Sequence, residues 1–106
     1  MTRWLASAII SLAAATVAAD GLPVARQAEL RYLLSQDCGS CHGLTLKGGL
    51  GPALTPQALA GKPAEFLQLT ILYGRPGTAM PPWRGILNEE ESRWLADRLL
   101  AGETQP

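Results

Sequence analysis

Apolar positions recur with helical spacing in four stretches of the chain, and no stretch alternates with the two-residue period of a strand. The first stretch runs from about Pro23 to Asp37, with Pro23 suited to a first helical position. Leu30, Leu33 and Leu34 share one face there, and the stripe continues to Cys38 and Cys41. That continuation predicts that the two cysteines extend the buried face. Gly39 to Thr55 reads as a long loop, since it contains Gly43, Gly48, Gly49, Gly51 and Pro52. A helix of one to two turns is expected from Thr55-Pro56 to Gly61, with Thr55 as its cap. Pro63 begins a third helix through Tyr73, stopped by Gly74, with Phe66, Leu67, Thr70 and Ile71 able to form its inner face.

The segment from Gly74 to Gly85 (GRPGTAMPPWRG) is too rich in proline and glycine for regular helix. The last helix has the clearest start. Asn88 can cap it, Glu91 stands three residues on as in a capping box, and Glu89 and Glu90 meet the positive end of the helix dipole. Trp94, Leu95, Leu99 and Leu100 supply its apolar side, and Gly102 ends it. The pattern is that of an all-α domain.

Upstream of the first helix the pattern changes. Met1-Thr2-Arg3-Trp4 is a short positive start, Leu5 to Val17 carries no charge, and Val17-Ala18-Ala19 places small residues before a cleavage point. Residues 1–19 therefore read as a secretory signal, because a membrane span needs about 20 apolar residues and this run is shorter; a retained N-terminal anchor is the alternative. Cleavage after Ala19 leaves residues 20–106 as the single mature domain, with no membrane attachment and a periplasmic location. The 106-residue chain carries nine basic and nine acidic residues. No basic cluster exists to follow a phosphate backbone, which argues against nucleic acid as a partner.

A domain this small often depends on a disulfide, a metal or a cofactor. The two cysteines lie in Cys38-Gly39-Ser40-Cys41-His42, which is C-x-x-C-H, the attachment pattern for c-type haem. Two thiols at this spacing can each add across one vinyl group of the porphyrin, and the adjacent imidazole is then held under the iron. Other uses of the pair fit less well. A thioredoxin-like pair lacks its βαβ surroundings. A zinc site lacks further ligands, since His42 is the only histidine. A disulfide between Cys38 and Cys41 closes too small a loop to stabilise much.

Once Met1 is removed, Met80 is the remaining methionine, and it stands in Ala79-Met80-Pro81-Pro82 where prolines stiffen the backbone. It is the candidate for the second axial iron ligand, an ordinary packed methionine being the alternative, and a His/Met pair raises the reduction potential. A metal-bound histidine gives its other ring N–H to an acceptor, and the Pro52 carbonyl in Gly51-Pro52 is the candidate; a plain chain-reversing turn is the alternative. Arg75 and Trp83 flank Met80 and carry N–H donors suited to haem propionates. Arg75 can equally be a solvated loop charge, and Trp83 a cover for the porphyrin edge.

In CGSCHG at 38–43, GP at 51–52, ILYGRPGTAMPP at 71–82 and LNEEESRWLADRLL at 87–100, the chain resembles the class I cytochromes c over nearly all of its mature part. The resemblance implies N- and C-terminal helices packed with loops around one covalent haem c. It implies that Cys38 and Cys41 attach the haem, that His42 and Met80 ligate the iron, and that Pro52 accepts from His42. DCGSCHGLTLKGGLGPAL with GRPGTAMPPW is similar to a small monohaem subgroup found beside cytochrome cd-type nitrite reductase in denitrifying bacteria. That likeness implies a periplasmic carrier delivering electrons to nitrite reductase. A monomer fed by an upstream donor is expected, and, with both axial positions filled and no further histidine to act as a base, no enzyme activity of its own. A haem-handling or maturation role for the reductase is the alternative, and exposed loop residues Leu44, Leu46 and Leu50 suit docking in either case.

Overall fold

A computed structural model describes residues 2–13 and 21–103 of the chain. Residues 2–13 form neither helix nor strand, and Trp4, Leu5, Ile9, Ile10 and Leu12 are exposed. The cleavage point expected after Ala19 lies outside the described residues. Among those residues no helix is long and apolar enough to cross a membrane.

The described part is helical, with no strand. Helix α1 (Val24–Leu33) follows Pro23 and passes into a π-helical turn at Leu34–Cys38, then into the short α2 (Gly39–His42). The chain is therefore helical without a break to His42, where a loop was expected from Gly39 onward. The Gly39 N–H reaches back five residues to the Leu34 carbonyl, and this carries the rod through the cysteines. Cys38 is half-buried against the core and Cys41 is exposed, so only the first cysteine continues the buried face of Leu30 and Leu34.

Helix α3 (Ala64–Tyr73) packs along α4 (Glu89–Ala101). The Gln68 side chain donates to the Glu89 carbonyl at 2.8 Å, joining the two helices. The inner face of α3 is formed by Leu67 and Leu72, with Ile71 half-buried beside them. Phe66, expected inside, points outward at 48% exposure. The expected short helix at Thr55–Gly61 is a series of turns instead, although Thr55 Oγ1 does accept from the Ala58 N–H at 3.2 Å.

The start of α4 matches its sequence signature. Asn88 Oδ1 accepts from Glu91 N at 2.8 Å, and Glu91 Oε1 accepts from Asn88 N at 3.0 Å. Glu91 also receives the Arg26 guanidinium from α1, and Arg31 pairs with Glu103 while its guanidinium lies 5.1 Å from the Trp94 ring centre. These contacts fasten the first helix to the last. Between them Leu30, Leu34, Trp94, Leu95 and Leu99 are buried in one apolar core with Leu46 and Leu87.

Candidate haem-binding site

The site begins at the end of the first helical rod, where the loop after His42 returns to it. Gly43 ends α2 with φ +91°, a conformation that spares glycine alone the Cβ penalty. The chain then folds back on the helix it has just left. Gly48 N–H donates to the His42 carbonyl at 2.8 Å, and Gly51 N–H to the Cys41 carbonyl at 2.7 Å. The last carbonyls of the cysteine turn are thereby satisfied by the loop, and the loop's position relative to the cysteines is fixed.

Leu46 anchors this loop. It is fully buried (0% exposed) although its φ is +58°, and its carbonyl accepts from Leu54 N at 2.8 Å. The left-handed backbone costs about 1–2 kcal/mol, whereas full burial of a leucine contributes about 1.5–3 kcal/mol. Burial wins. Leu46 is thus a core residue and not the exposed docking side chain expected, while Leu44 (67%) and Leu50 (94%) are exposed.

The loop brings Pro52 to His42. His42 Nδ1 lies 2.7 Å from the Pro52 carbonyl oxygen, and because a carbonyl only accepts, Nδ1 carries the proton. In the neutral ring Nε2 then keeps its lone pair for a metal. Gly51 lies against the same ring: a Cβ there would stand 2.7 Å from Cε1 and 2.8 Å from Nδ1. No side chain fits between the loop and the imidazole.

Cys38 and Cys41 stand one helical turn apart and are not bridged. Burial pushes the Cys38 thiol up to about 11, with the Asp37 carboxylate adding to the shift. A thiol of that kind is protonated at neutral pH and poorly suited to disulfide exchange, which needs a thiolate of low pKa.

Met80 lies in a loop folded onto the C-terminus of α3. Gly74 N–H donates to Thr70 O at 2.9 Å, Trp83 N–H to Ile71 O at 3.0 Å, and Arg84 N–H to Leu72 O at 3.1 Å. The returning chain therefore caps the helix that precedes it. Trp83 is half-buried and packs on the core, whereas Arg75 is exposed. Cys38, Leu54, Ile71 and Trp83 all sit half-buried at the margin of the core. One comes from the cysteine turn, one from the loop after it, one from α3 and one from the Met80 segment.

This donor set fits haem c: two free thiols at i and i+3, an imidazole with Nδ1–H engaged, a thioether in a braced loop, and an apolar margin. Cys38, Cys41, His42 and Met80 are the residues that would hold it. The sequence singled out each of them, but not the close fit of Gly51 on the imidazole nor the hydrogen bonds of the Thr78 hydroxyl to Arg75 and Met80. A glycine directly before the acceptor proline was the available signal for the first.

The fold is that of a class I cytochrome c. The family described as cytochrome c oxidase, cbb3-type, subunit III, matches residues 25–97. Cytochrome c55X of Pseudomonas aeruginosa is 60% identical over 104 residues, which cover 97% of this chain and 87% of the relative. The solved structure of the c-type cytochrome NirC matches with a TM-score of 0.75 and 64% identity, over 78% of this chain and 98% of that one. Part of the dihydro-heme d1 dehydrogenase NirN, solved in complex with DHE, matches with a TM-score of 0.61 and 33% identity, over 71% of this chain and 16% of that one. The chain belongs to the cytochrome c family, close to the c55X cytochromes of nitrite reductase operons.

Proposed function

We propose that the chain is exported, cut after Ala19, and works in the periplasm as a monomeric carrier of single electrons in denitrification. Cys38 and Cys41 hold one haem through two thioethers, and His42 and Met80 supply the axial donors. Pro52 keeps the His42 ring in one tautomer and one orientation. Arg75 and Trp83 offer N–H donors toward the propionates. Bound haem supplies a one-electron couple at iron, and a His/Met pair sets that couple high. With both axial positions filled by the chain there is no open site for substrate, so the protein has no enzyme activity of its own.

The observation that carries this reading is the His42 imidazole, held by Pro52 at the end of the continuous helical rod that bears both thiols. Electrons arrive from an upstream donor and leave to cytochrome cd-type nitrite reductase. Stopped-flow mixing of the reduced protein with the oxidised reductase tests the last step. Rapid reoxidation is expected, and a protein that stays reduced contradicts it.

The likeness to part of a dihydro-heme d1 dehydrogenase favours a second reading, a haem-handling role in maturation of the reductase. Deleting the gene separates the two. A fully assembled reductase starved of electrons supports the carrier, and a reductase lacking its special haem supports maturation.

A further inference from the structure

The Met80 segment is braced by a ring of hydrogen bonds that belongs entirely to residues 75–80. Arg75 N–H donates to the Met80 carbonyl at 3.2 Å, closing the ring. Inside it, the Thr78 hydroxyl donates to the Arg75 carbonyl at 2.7 Å and accepts from the Met80 N–H at 3.3 Å. The Thr78 N–H donates to that same Arg75 carbonyl at 3.0 Å. Both backbone polar groups of Met80 are therefore held, one by Arg75 and one by Thr78, and only its side chain is left to reach outward.

The ring closes against Gly74. At φ +67° this residue lies so near the crossing chain that a Cβ would stand 2.7 Å from the Met80 carbonyl oxygen and 2.8 Å from Pro82 N. The atoms it would strike are backbone, which cannot swing aside as a flexible side chain can. Downstream, Trp83 and Arg84 are tied to the end of α3. The methionine is thus fixed between two anchored backbone segments, with a hydroxyl as the cross-tie.

We propose that Thr78 is a positioning residue: its hydroxyl, bridging Arg75 and Met80 above Gly74, holds the Met80 thioether in place for iron and sets how readily another ligand displaces it. This rests on Met80 being an axial ligand. Without the cross-tie the Met80 amide is free to turn, the thioether spends more time away from the iron, and an added base competes more easily. Thr78→Val removes both hydrogen bonds of the hydroxyl while keeping the branched shape. Thr78→Ser keeps the hydroxyl.

The test is imidazole titration of the ferric, haem-loaded protein, followed through the weak far-red band of methionine ligation, alongside its unfolding midpoint in denaturant. Loss of one net hydrogen bond from the ligated state should tighten apparent imidazole binding about five- to ten-fold in Thr78→Val. Thr78→Ser should restore the wild-type affinity, and Gly74→Ala should weaken the band even without imidazole. Unchanged imidazole affinity in Thr78→Val, with the band intact in wild type, overturns the positioning role. So does a loss that Thr78→Ser fails to restore, since that marks a packing effect. A band equally present in Met80→Ala overturns the underlying ligation, and the proposal with it.

Discussion

Gly51 lies flat against the imidazole of His42, so close that a methyl group in place of its hydrogen would stand 2.7 Å from the ring's Cε1. The next residue supplies the carbonyl that receives the Nδ1 proton, and the Gly51 amide itself donates to the Cys41 carbonyl. Two adjacent residues thus fix the ring by contact and by hydrogen bond, on the backbone that carries the second thiol. Gly51→Ala must displace either the ring or the loop. Overpacking of this kind costs about 1–3 kcal/mol, and it should also lengthen the bond to Pro52. Chemical denaturation of the haem-loaded variant should show the loss, and its reduction potential should move as well. A variant matching wild type in both would mean that the fit on the ring is slack.

Met80 is the thioether that the braced loop presents. Met80→Ala should abolish the weak far-red absorption of the ferric protein and lower the reduction potential, because a His/Met pair raises it. The absorption spectrum is the check. An unchanged band would assign the axial position to another residue.

Cys41→Ala leaves Cys38 as the only thiol of the pair. With one thioether instead of two, the exported holoprotein should fall to a small fraction of wild-type yield, read by absorbance per mole of chain. The remaining core is small, and a bound cofactor stabilises only the state that holds it. Wild-type yield and stability in this variant would show that the second thiol is dispensable.

Glu91 joins the first helix to the last. The Arg26 guanidinium holds its carboxyl below the usual carboxylate range, assisted by the Asn88 amide of the capping box. A carboxyl whose folded value lies below its unfolded value stabilises the fold above the unfolded value. That contribution disappears as pH falls through the folded value. Glu91→Gln should therefore cost about 1.5–3 kcal/mol at pH 7, the range for a hydrogen bond to a charged group. The gap from wild type should narrow as the pH drops below about 4, the ordinary range for a glutamate. Urea midpoints at pH 7 and pH 3 measure it, and an equal gap at both would show that the ion pair contributes nothing.

Helix α4 was legible from sequence because its signals are local: Asn88, Glu91 and Gly102 act within a turn or two of their own positions. Cys38, Cys41 and His42 could be read for a similar reason, the chemistry of thiols and imidazole imposing its spacing on the chain. The features that could not be read depend on partners distant in sequence or on backbone choices that leave no residue mark. The π-helical turn at Leu34–Cys38 carries no residue signature, since it differs from α-helix only in which carbonyl each amide chooses. Leu46 looked like a loop residue until the core behind it was known. On α3, apolar residues at 66, 67, 69, 71 and 72 leave the phase of the inner face undecided, and packing on α4 selects Leu67 and Leu72 over Phe66.

The roles given to His42, Met80, Pro52 and the α1–π–α2 rod all presuppose a porphyrin joined to Cys38 and Cys41. The intact mass of the protein recovered from the periplasm of a haem-ligating host tests that most directly, read with its pyridine haemochrome spectrum. The expected mass is that of residues 20–106 plus one haem, with the spectrum of a porphyrin bearing two thioethers. A colourless protein whose mass is that of its amino acids alone would contradict it.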